Sequence, residues 1–445
     1  MTTADPRTTD LRFPDAVVHF GVFFQGVNHS TIWSDPRSGS QMAHSTFVQL
    51  VRTAERGLFD AFFLGEGLRL REQRGKVHDL DVVGRPDALT ELATLAGLTT
   101  HIGLVATQNT TYNDPADLAR RLASLDVLSG GRAAWNVVTT DNAWTGANFR
   151  RGGYLDHADR YERAERFVRT AQRVWDSWDG ERFNPVRVQD GFFDVEFTPT
   201  VRRSPQEHPV LFQAGDSPAG RDFAARTADV VFSRHGTDHA DALAFADDVR
   251  RRTLAAGRPD GDVLVLPGTQ IVVADTATEV EEKARWVLEQ QVTPATALSL
   301  VGQVWGEDLS HLDPDGPLPA HDPVITDIDG TRGAHRAGAD ARALAQQWRA
   351  VAEENKFSLR DLVLHHSSER GFAGTASQLA DELTHWVRTG ACDGFNVTPY
   401  LVPGGLDEIV DQLVPALQDR GAYPTEYVGT TLREHLRLRA PLTRR

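Results

Sequence analysis

The chain has 445 residues, 40% of them hydrophobic and 24% charged, with a formal net charge of −15. This is the make-up of a globular protein, long enough for one large domain or for two or three smaller ones. The acidic balance, with Lys and Arg dispersed among the acids, excludes the basic stripe that nucleic-acid backbones and anionic membranes require.

A single cysteine, Cys392, excludes an intramolecular disulfide framework and a cysteine-based zinc site. No apolar run reaches the length of a membrane span, and "MTTADPRTTD" lacks the charge and apolar pattern of a signal peptide. A cytoplasmic chain without nucleic-acid or membrane partners is expected.

In chain order, Val17–Phe24 reads as a strand and Ser45–Arg56 as an amphipathic helix. Asp60–Leu64 is the next strand, and just past it stands Glu66, either a cap for the following turn or an acceptor in a site. After a helical pattern at Ala88–Thr99 comes the strand Ile102–Thr107, then helix Asp117–Leu125, then strand Ala133–Val138. Thr107 and Asn136 place a hydroxyl and an amide near the ends of neighbouring strands. An amide donates and accepts at once, which suits the polar edge of a flavin or a substrate carbonyl. It is equally satisfied by nearby backbone.

The long helical pattern Ala158–Trp178 is introduced by "HADRYERAE", in which His157 and Tyr161 fall four apart on one face. That face can present imidazole and phenol to an anion, or can pack Tyr161 and leave His157 as an exposed cap. A polar, proline-containing stretch, 179–207, follows as an insertion loop. Next, "PVLFQAGDSPAGRDFA" runs from the strand Val210–Ala214 through Gly215-Asp216-Ser217 into a helix opened by Pro218. Ser217 is a suitable N-cap and Pro218 a suitable first helical residue. Free amides at such a start make a phosphate cradle; a plain capped turn is the competing reading. A hydrolase nucleophile elbow fails, because Ala219 stands where the second glycine is needed.

Beyond helix Pro218–Thr227 lie strand Val230–Ser233, helix Ala240–Ala255, strand Val263–Val273 and helix Thr278–Gln290. The stretch 299–374 holds a Pro/Asp/Gly-rich tract and then a helix near Ala339–Asn355; it reads as a lid over a site or as a surface excursion. Its Asp327-x-Asp329-Gly330 lacks the spacing of a calcium loop. His365-His366 reads as a doublet on a strand end, where adjacent side chains diverge, so no shared metal is expected. Helix Ala376–Arg388, strand Phe395–Pro399 and helix Leu406–Gln418 complete the chain.

Eight strands, most of them apolar on both faces and alternating with helices without a break in composition, favour one (β/α)₈ TIM barrel over residues 1–445. Its insertions would lie at the C-terminal face of the strands. No Gly-x-Gly-x-x-Gly follows a strand, and there is neither a Walker loop nor a His-Glu-x-x-His. An ordinary nicotinamide module, a nucleoside-triphosphate loop and a zincin site are therefore not expected.

Four stretches together, "TTYNDPADLARRLASLDVLSGGRAAWNVVTT", "HADRYERAERFVRTAQRVWDSW", "RSPQEHPVLFQAGDSPAGRDFAARTADVVFS" and "DGFNVTPYLVPGGLDEIVDQLVPALQDRGAY", carry a resemblance. They are similar to the bacterial luciferase-like flavin-dependent monooxygenases, in the group of nitrilotriacetate monooxygenase, pristinamycin synthase and dibenzothiophene sulfone monooxygenase. The likeness runs from about Phe20 to about Leu438. It implies a TIM barrel that takes up reduced FMN from a separate flavin reductase and uses O₂ to oxidise a small organic substrate by C–N, C–S or ring oxidation. It also implies a homodimer or homotetramer. Same-fold and neighbouring alternatives are an F420-dependent reductase and a non-catalytic flavin-binding protein.

By the same resemblance, Glu66 falls at an acidic position beside the flavin ring, and Thr107 and Asn136 fall at its polar edge. His157 and Tyr161 approach the ribityl-phosphate end, while Gly215, Asp216 and Ser217 form the phosphate loop. His157 and Asn136 are the catalytic candidates. In "FFQGVNHSTIW", Asn28 and His29 are the substrate-pocket candidates. The chain departs from the family in "GERFNPVRVQDGFFDVEFTP", which lacks the usual histidine-rich turn, and in Asn148-Phe149-Arg150, where the family has Asn-Phe-Gly.

Overall fold

The computed structural model describes residues 11–24, 30–70, 72–73, 76–77, 84–140, 143–149, 157–324, 341–368 and 371–441; the side chains of 72–73, 76–77, 143–144 and 157–158 are not included. Asn28, His29 and the stretch Asp327–Gly330 lie outside the described residues.

Eight parallel strands form the centre: β1 (His19–Phe24), β2 (Ala61–Leu64), β3 (Gly103–Asn109), β4 (Ala133–Val138), β5 (Val210–Gln213), β6 (Val230–Ser233), β7 (Leu264–Val273) and β8 (Gly394–Val397). They pair in the order β6-β5-β4-β3-β2-β1-β8-β7, and a β6–β7 pairing closes the ring. This is the expected (β/α)₈ barrel. Apolar runs buried on both faces make such strands, because one face lines the barrel and the other meets the helices.

Outside stand α1 (His44–Arg56), α2 (Ala88–Ala96), α3 (Pro115–Leu128), α4 (His157–Asp176), α5 (Pro218–Thr227) and α6 (His239–Ala255). Their starts are written locally. Asp114 accepts from the backbone of Ala116 and Asp117 just before Pro115, and Ser217 does the same for Gly220 just before Pro218. The larger apolar cluster lies between barrel and helices, around Phe20, Phe47, Leu92, Trp135 and Phe167. A smaller one fills the barrel with Ala61, Phe63, Val105, Ala134, Val210 and Phe212.

The seventh unit departs from the simple repeat. β7 pairs with β6 through Leu264–Pro267 and with β8 through Gly268 and Thr269. Its last four residues, Gln270–Val273, outgrow the barrel and pair with a short strand, Gly371–Gly374. Between these partners lie α7 (Ala277–Gln291), α8 (Pro294–Trp305), α9 (Ala341–Asn355) and α10 (Leu359–Ser367). The barrel then resumes with α11 (Ala376–Thr389) before β8. The excursion is thus wider than 299–374, and the helix expected at Thr278–Gln290 belongs to it. It has its own small core of Val301, Trp305, Ala345, Leu359 and Val363.

A second apolar contact, Ile32, Val272, Val287, Tyr400 and Leu401, fastens the excursion to the loops after β1 and β8. Gln270 and Gln291 reinforce it, each donating its amide to the Ser30 carbonyl, at 3.0 and 2.6 Å. The stretch 179–207 contains an antiparallel hairpin, Val186–Gln189 with Asp194–Phe197.

His365 and His366 are on α10 and not at a strand end. The reason is local: Ser358 and Asp361 form a capping box, with each side chain bonded to the other's backbone, and this starts a helix where the apolar run alone resembles a strand. Among the described residues no three His, Cys, Asp or Glu side chains gather as a metal site, and no helix is long and apolar enough to cross a membrane.

Candidate active site

Alternation along β3 and β4 builds a site in layers. In register, Val105 faces Ala134, Thr107 faces Asn136 and Asn109 faces Val138. Val105 and Ala134 line the barrel interior, so Thr107, Asn136 and Asn109, two and four residues on, share that face at successive levels toward the C-terminal mouth.

The floor is aromatic. Phe23, Phe63, Phe212 and Phe232 pack with ring centroids 5.0 to 5.9 Å apart. Phe23 and Phe232 keep part of their surface open. Gly268 leaves room for this plug, since a Cβ there would lie 2.8 Å from the Phe232 ring.

Beside these rings, in register with Phe212, the Asn136 amide nitrogen donates to Thr107 Oγ1 at 3.0 Å. Its carbonyl oxygen Oδ1 is buried without a partner. β8 carries a second case: Asn396, in register with Gly21 of β1, also has a buried, unpartnered Oδ1. A Cβ on Gly21 would lie 2.8 Å from that oxygen, so glycine makes room for the amide. An orphaned buried acceptor costs about 1–3 kcal/mol, and a ligand N–H would offset it.

At the mouth, Asn109 donates through Nδ2 to both carboxylate oxygens of Glu66, at 3.2 and 3.1 Å. Asn109 is itself held by the Tyr112 N–H, which donates to Oδ1 at 2.6 Å. Burial pushes the Glu66 carboxyl up to about 7, although the Asn109 hydrogen bond pulls the other way. The strand ends at Asn109, not at Thr107 as expected.

Asn109 and Asn396 were not singled out from the sequence. The signals were present: Asn109 continues the period-two face of Val105 and Thr107, and Asn396 in "GFNV" repeats the pattern of Asn136 in "AAWNVV".

The loop after β5 gives a second feature. Gly215 and Gly220 touch through their backbones: a Cβ on either would lie 2.8 Å from the other's Cα, and one on Gly220 also 3.0 Å from Tyr161 Oη. Tyr161, on α4, lies 3.5 Å through its hydroxyl from Ser217 Oγ. Of the first-turn amides of α5, Pro218 has none, Gly220 bonds Ser217 Oγ and Arg221 bonds the Ser217 carbonyl. The helix start therefore brings Gly215, Ser217 and Tyr161 together, with the positive end of the helix dipole beside them.

Asp216 faces a different set of groups. Arg234 donates to its Oδ2 through Nε and Nη2 at 3.1 and 2.9 Å, and His235 Nε2 lies 3.0 Å from Oδ1. Burial would raise the Asp216 carboxyl, but those hydrogen bonds outweigh it and hold it below the usual range. Asp216 thus positions Arg234 and His235 beside the loop. His157 heads α4 one turn before Tyr161; its side chain is outside the described residues.

Known proteins share this frame. The family model described as "Luciferase-like monooxygenase" matches residues 18–392. N-acetyl-S-(2-succino)cysteine monooxygenase of Bacillus subtilis (strain 168) is 37% identical, over 96% of this chain and 98% of its own. Nitrilotriacetate monooxygenase component A of Aminobacter aminovorans is also 37% identical, over 95% of this chain and 97% of its own. A crystal structure of a riboflavin lyase with modified FMN and riboflavin superposes with a TM-score of 0.76 at 27% identity, covering 94% of this chain and 95% of that one.

Proposed function

The chain belongs to the luciferase-like monooxygenase family, and from that premise we propose that it is the oxygenase of a two-component system. It takes reduced FMN from a separate flavin reductase and, with O₂, oxidises a small organic molecule at a C–N, C–S or ring position. The observation that carries this reading is the orphaned Asn136 Oδ1 beside the phenylalanine cluster, where Asn136 stands in register with Phe212. A flavin ring is flat and largely apolar, with a polar edge where one N–H stands between two carbonyls. Apolar walls with a free amide acceptor such as Asn136 Oδ1 suit it.

In this reading Asn136 and Thr107 hold the ring's polar edge, and Gly215, Ser217 and Tyr161 hold the phosphate, with His157 one turn earlier. When bound, reduced FMN supplies the two electrons that let O₂ deliver one oxygen atom to the substrate and release the other as water. The chain's own residues do the rest. The four phenylalanines keep the floor dry, Glu66 can hold or yield a proton near neutral pH, and helices α7–α10 of the excursion act as the lid that excludes water.

The two relatives named above are called after a C–S and a C–N compound, both bearing carboxylates. These two compounds are therefore the first substrates to try. The purified chain should consume O₂ and convert one of them only when reduced FMN is supplied. Oxidation of NADH by the chain alone at a similar rate would sink the proposal. Hydride transfer from reduced F420 without O₂ would do so equally.

Asn136→Val separates ligand binding from structure. It removes an unsatisfied acceptor from the fold, so stability should change by no more than about 1 kcal/mol. The KM for reduced FMN should rise about tenfold or more, equivalent to about 1.4 kcal/mol. If thermal stability falls as far as flavin use, the amide serves the fold.

A further inference from the structure

At the opposite, N-terminal end of the barrel, below β5, β6 and β7, is a cavity of about 250 Å³. Five guanidinium groups and three carboxylates line it, an excess of two positive charges in a chain of formal net charge −15. The carboxylates are shared out. Glu165 of α4 meets both Arg169 and Arg226, the latter at 3.1 Å. Asp262 meets Arg258 at 3.4 Å and Arg439 at 3.6 Å. Asp229 meets Arg433 at 3.2 Å and also accepts the Leu211 N–H at 2.9 Å.

We infer that this cavity binds a small dianionic oxyanion, inorganic phosphate or a compact phosphate monoester, on Arg226, Arg433 and Arg439. Three observations carry it. First, Arg433 is buried, with 8% of its side chain exposed, yet its Nε has no partner. A buried guanidinium N–H without an acceptor is rare and costly. Second, Arg226 and Arg439 stand half open to solvent at the rim, each on a carboxylate already claimed by another arginine. Their planar forks keep donors to spare, and such forks match phosphate oxygens in pairs. Third, the volume falls just short of the roughly 300–1,000 Å³ typical of pockets for drug-sized ligands. It suits a phosphate with a short carbon chain and excludes a dinucleotide. This site is at the far end of the barrel from Glu66 and the Gly215 loop, so it stands whether or not the chain uses flavin.

The test is calorimetric titration of the full chain with inorganic phosphate, sodium chloride holding ionic strength constant. One phosphate should bind per chain, and saturating FMN should leave its affinity unchanged. Arg226→Gln combined with Arg439→Gln should weaken binding at least tenfold with thermal stability nearly unchanged, because both side chains are at the rim. Glu165→Gln should tighten binding several-fold by releasing Arg169 and Arg226. The inference is overturned if phosphate binds no better than chloride, or if the double variant binds it as well as the parent. Competition with FMN would overturn it too, placing the phosphate at the Gly215 loop. Equal or tighter binding of succinate would replace the phosphate class with a dicarboxylate.

Discussion

Gly220→Ala should leave a folded protein that has lost ten- to a hundred-fold in its affinity for reduced FMN. The added Cβ would sit 2.8 Å from the Gly215 Cα and 2.9 Å from its carbonyl carbon, and backbone atoms have no rotamer by which to retreat. The third neighbour, Tyr161 Oη at 3.0 Å, belongs to the Ser217 contact. Two effects on folding oppose each other. Overpacking costs typically 1–3 kcal/mol, whereas alanine is favoured over glycine inside a helix by about 1 kcal/mol. The net loss of stability is then modest.

The displacement, however, falls on the loop proposed to hold the phosphate, where a shift of a few tenths of an ångström spoils several hydrogen bonds together. Gly97→Ala is the matched control. Its φ is −78° and its only near neighbour is the Thr94 carbonyl at 3.8 Å. That variant should be at least as stable as the parent with unchanged flavin use. An unchanged KM for reduced FMN in Gly220→Ala would remove the Gly215–Ser217 turn from the site.

Glu66→Gln should raise stability at pH 8, leave it nearly unchanged at pH 4, and abolish an activity limb near pH 7. The folded state holds this carboxyl at about 7 against an ordinary 4.5, chiefly because burial disfavours the charge. The contribution of Glu66 is therefore fully present below about 4.5 and is lost as the pH rises toward 7. Moving a carboxyl across that interval corresponds to at most about 3 kcal/mol. Water reaching this half-buried group reduces the expected gain in Glu66→Gln to about 1–2 kcal/mol.

Glutamine keeps the shape and can still accept from Asn109, but it cannot titrate. If Glu66 handles a proton during turnover, the parent's rate should change around pH 7 and the variant's should be flat there. A limb that persists in Glu66→Gln assigns it to another group. Denaturation midpoints at pH 4 and pH 8, with a pH–rate profile of both proteins, decide the matter.

Much of the frame is legible in the amino-acid order. Runs such as Val230–Ser233 and Ala133–Val138 fold as read, because short apolar runs set between helical segments are buried on both faces as barrel strands. The start of α5 is written in Ser217 and Pro218, since a cap and a fixed φ act within a few residues. Period-two alternation places Thr107 and Asn136 on the inner face, and their register then makes them partners.

Two features that depart from the expected pattern also have local causes. The capping box Ser358–Asp361 turns the His365 segment into a helix. Asn396 stands in its strand as plainly as Asn136 does.

Other features could be settled only by the closed ring. Glu66 meets Asn109 across 43 residues, and Asn396 meets Gly21 because β8 closes on β1. The Gly215–Gly220 contact depends on how tightly α5 folds back on β5, and the arginine cavity gathers α4, the turns before β5, β6 and β7, and the C-terminal segment. Propensity, capping and alternation are properties of neighbours in the chain, so the sequence states them directly. Which carboxylate faces which amide follows from strand order and register. Those are set by burying every apolar face of the barrel together, and no single segment carries that information.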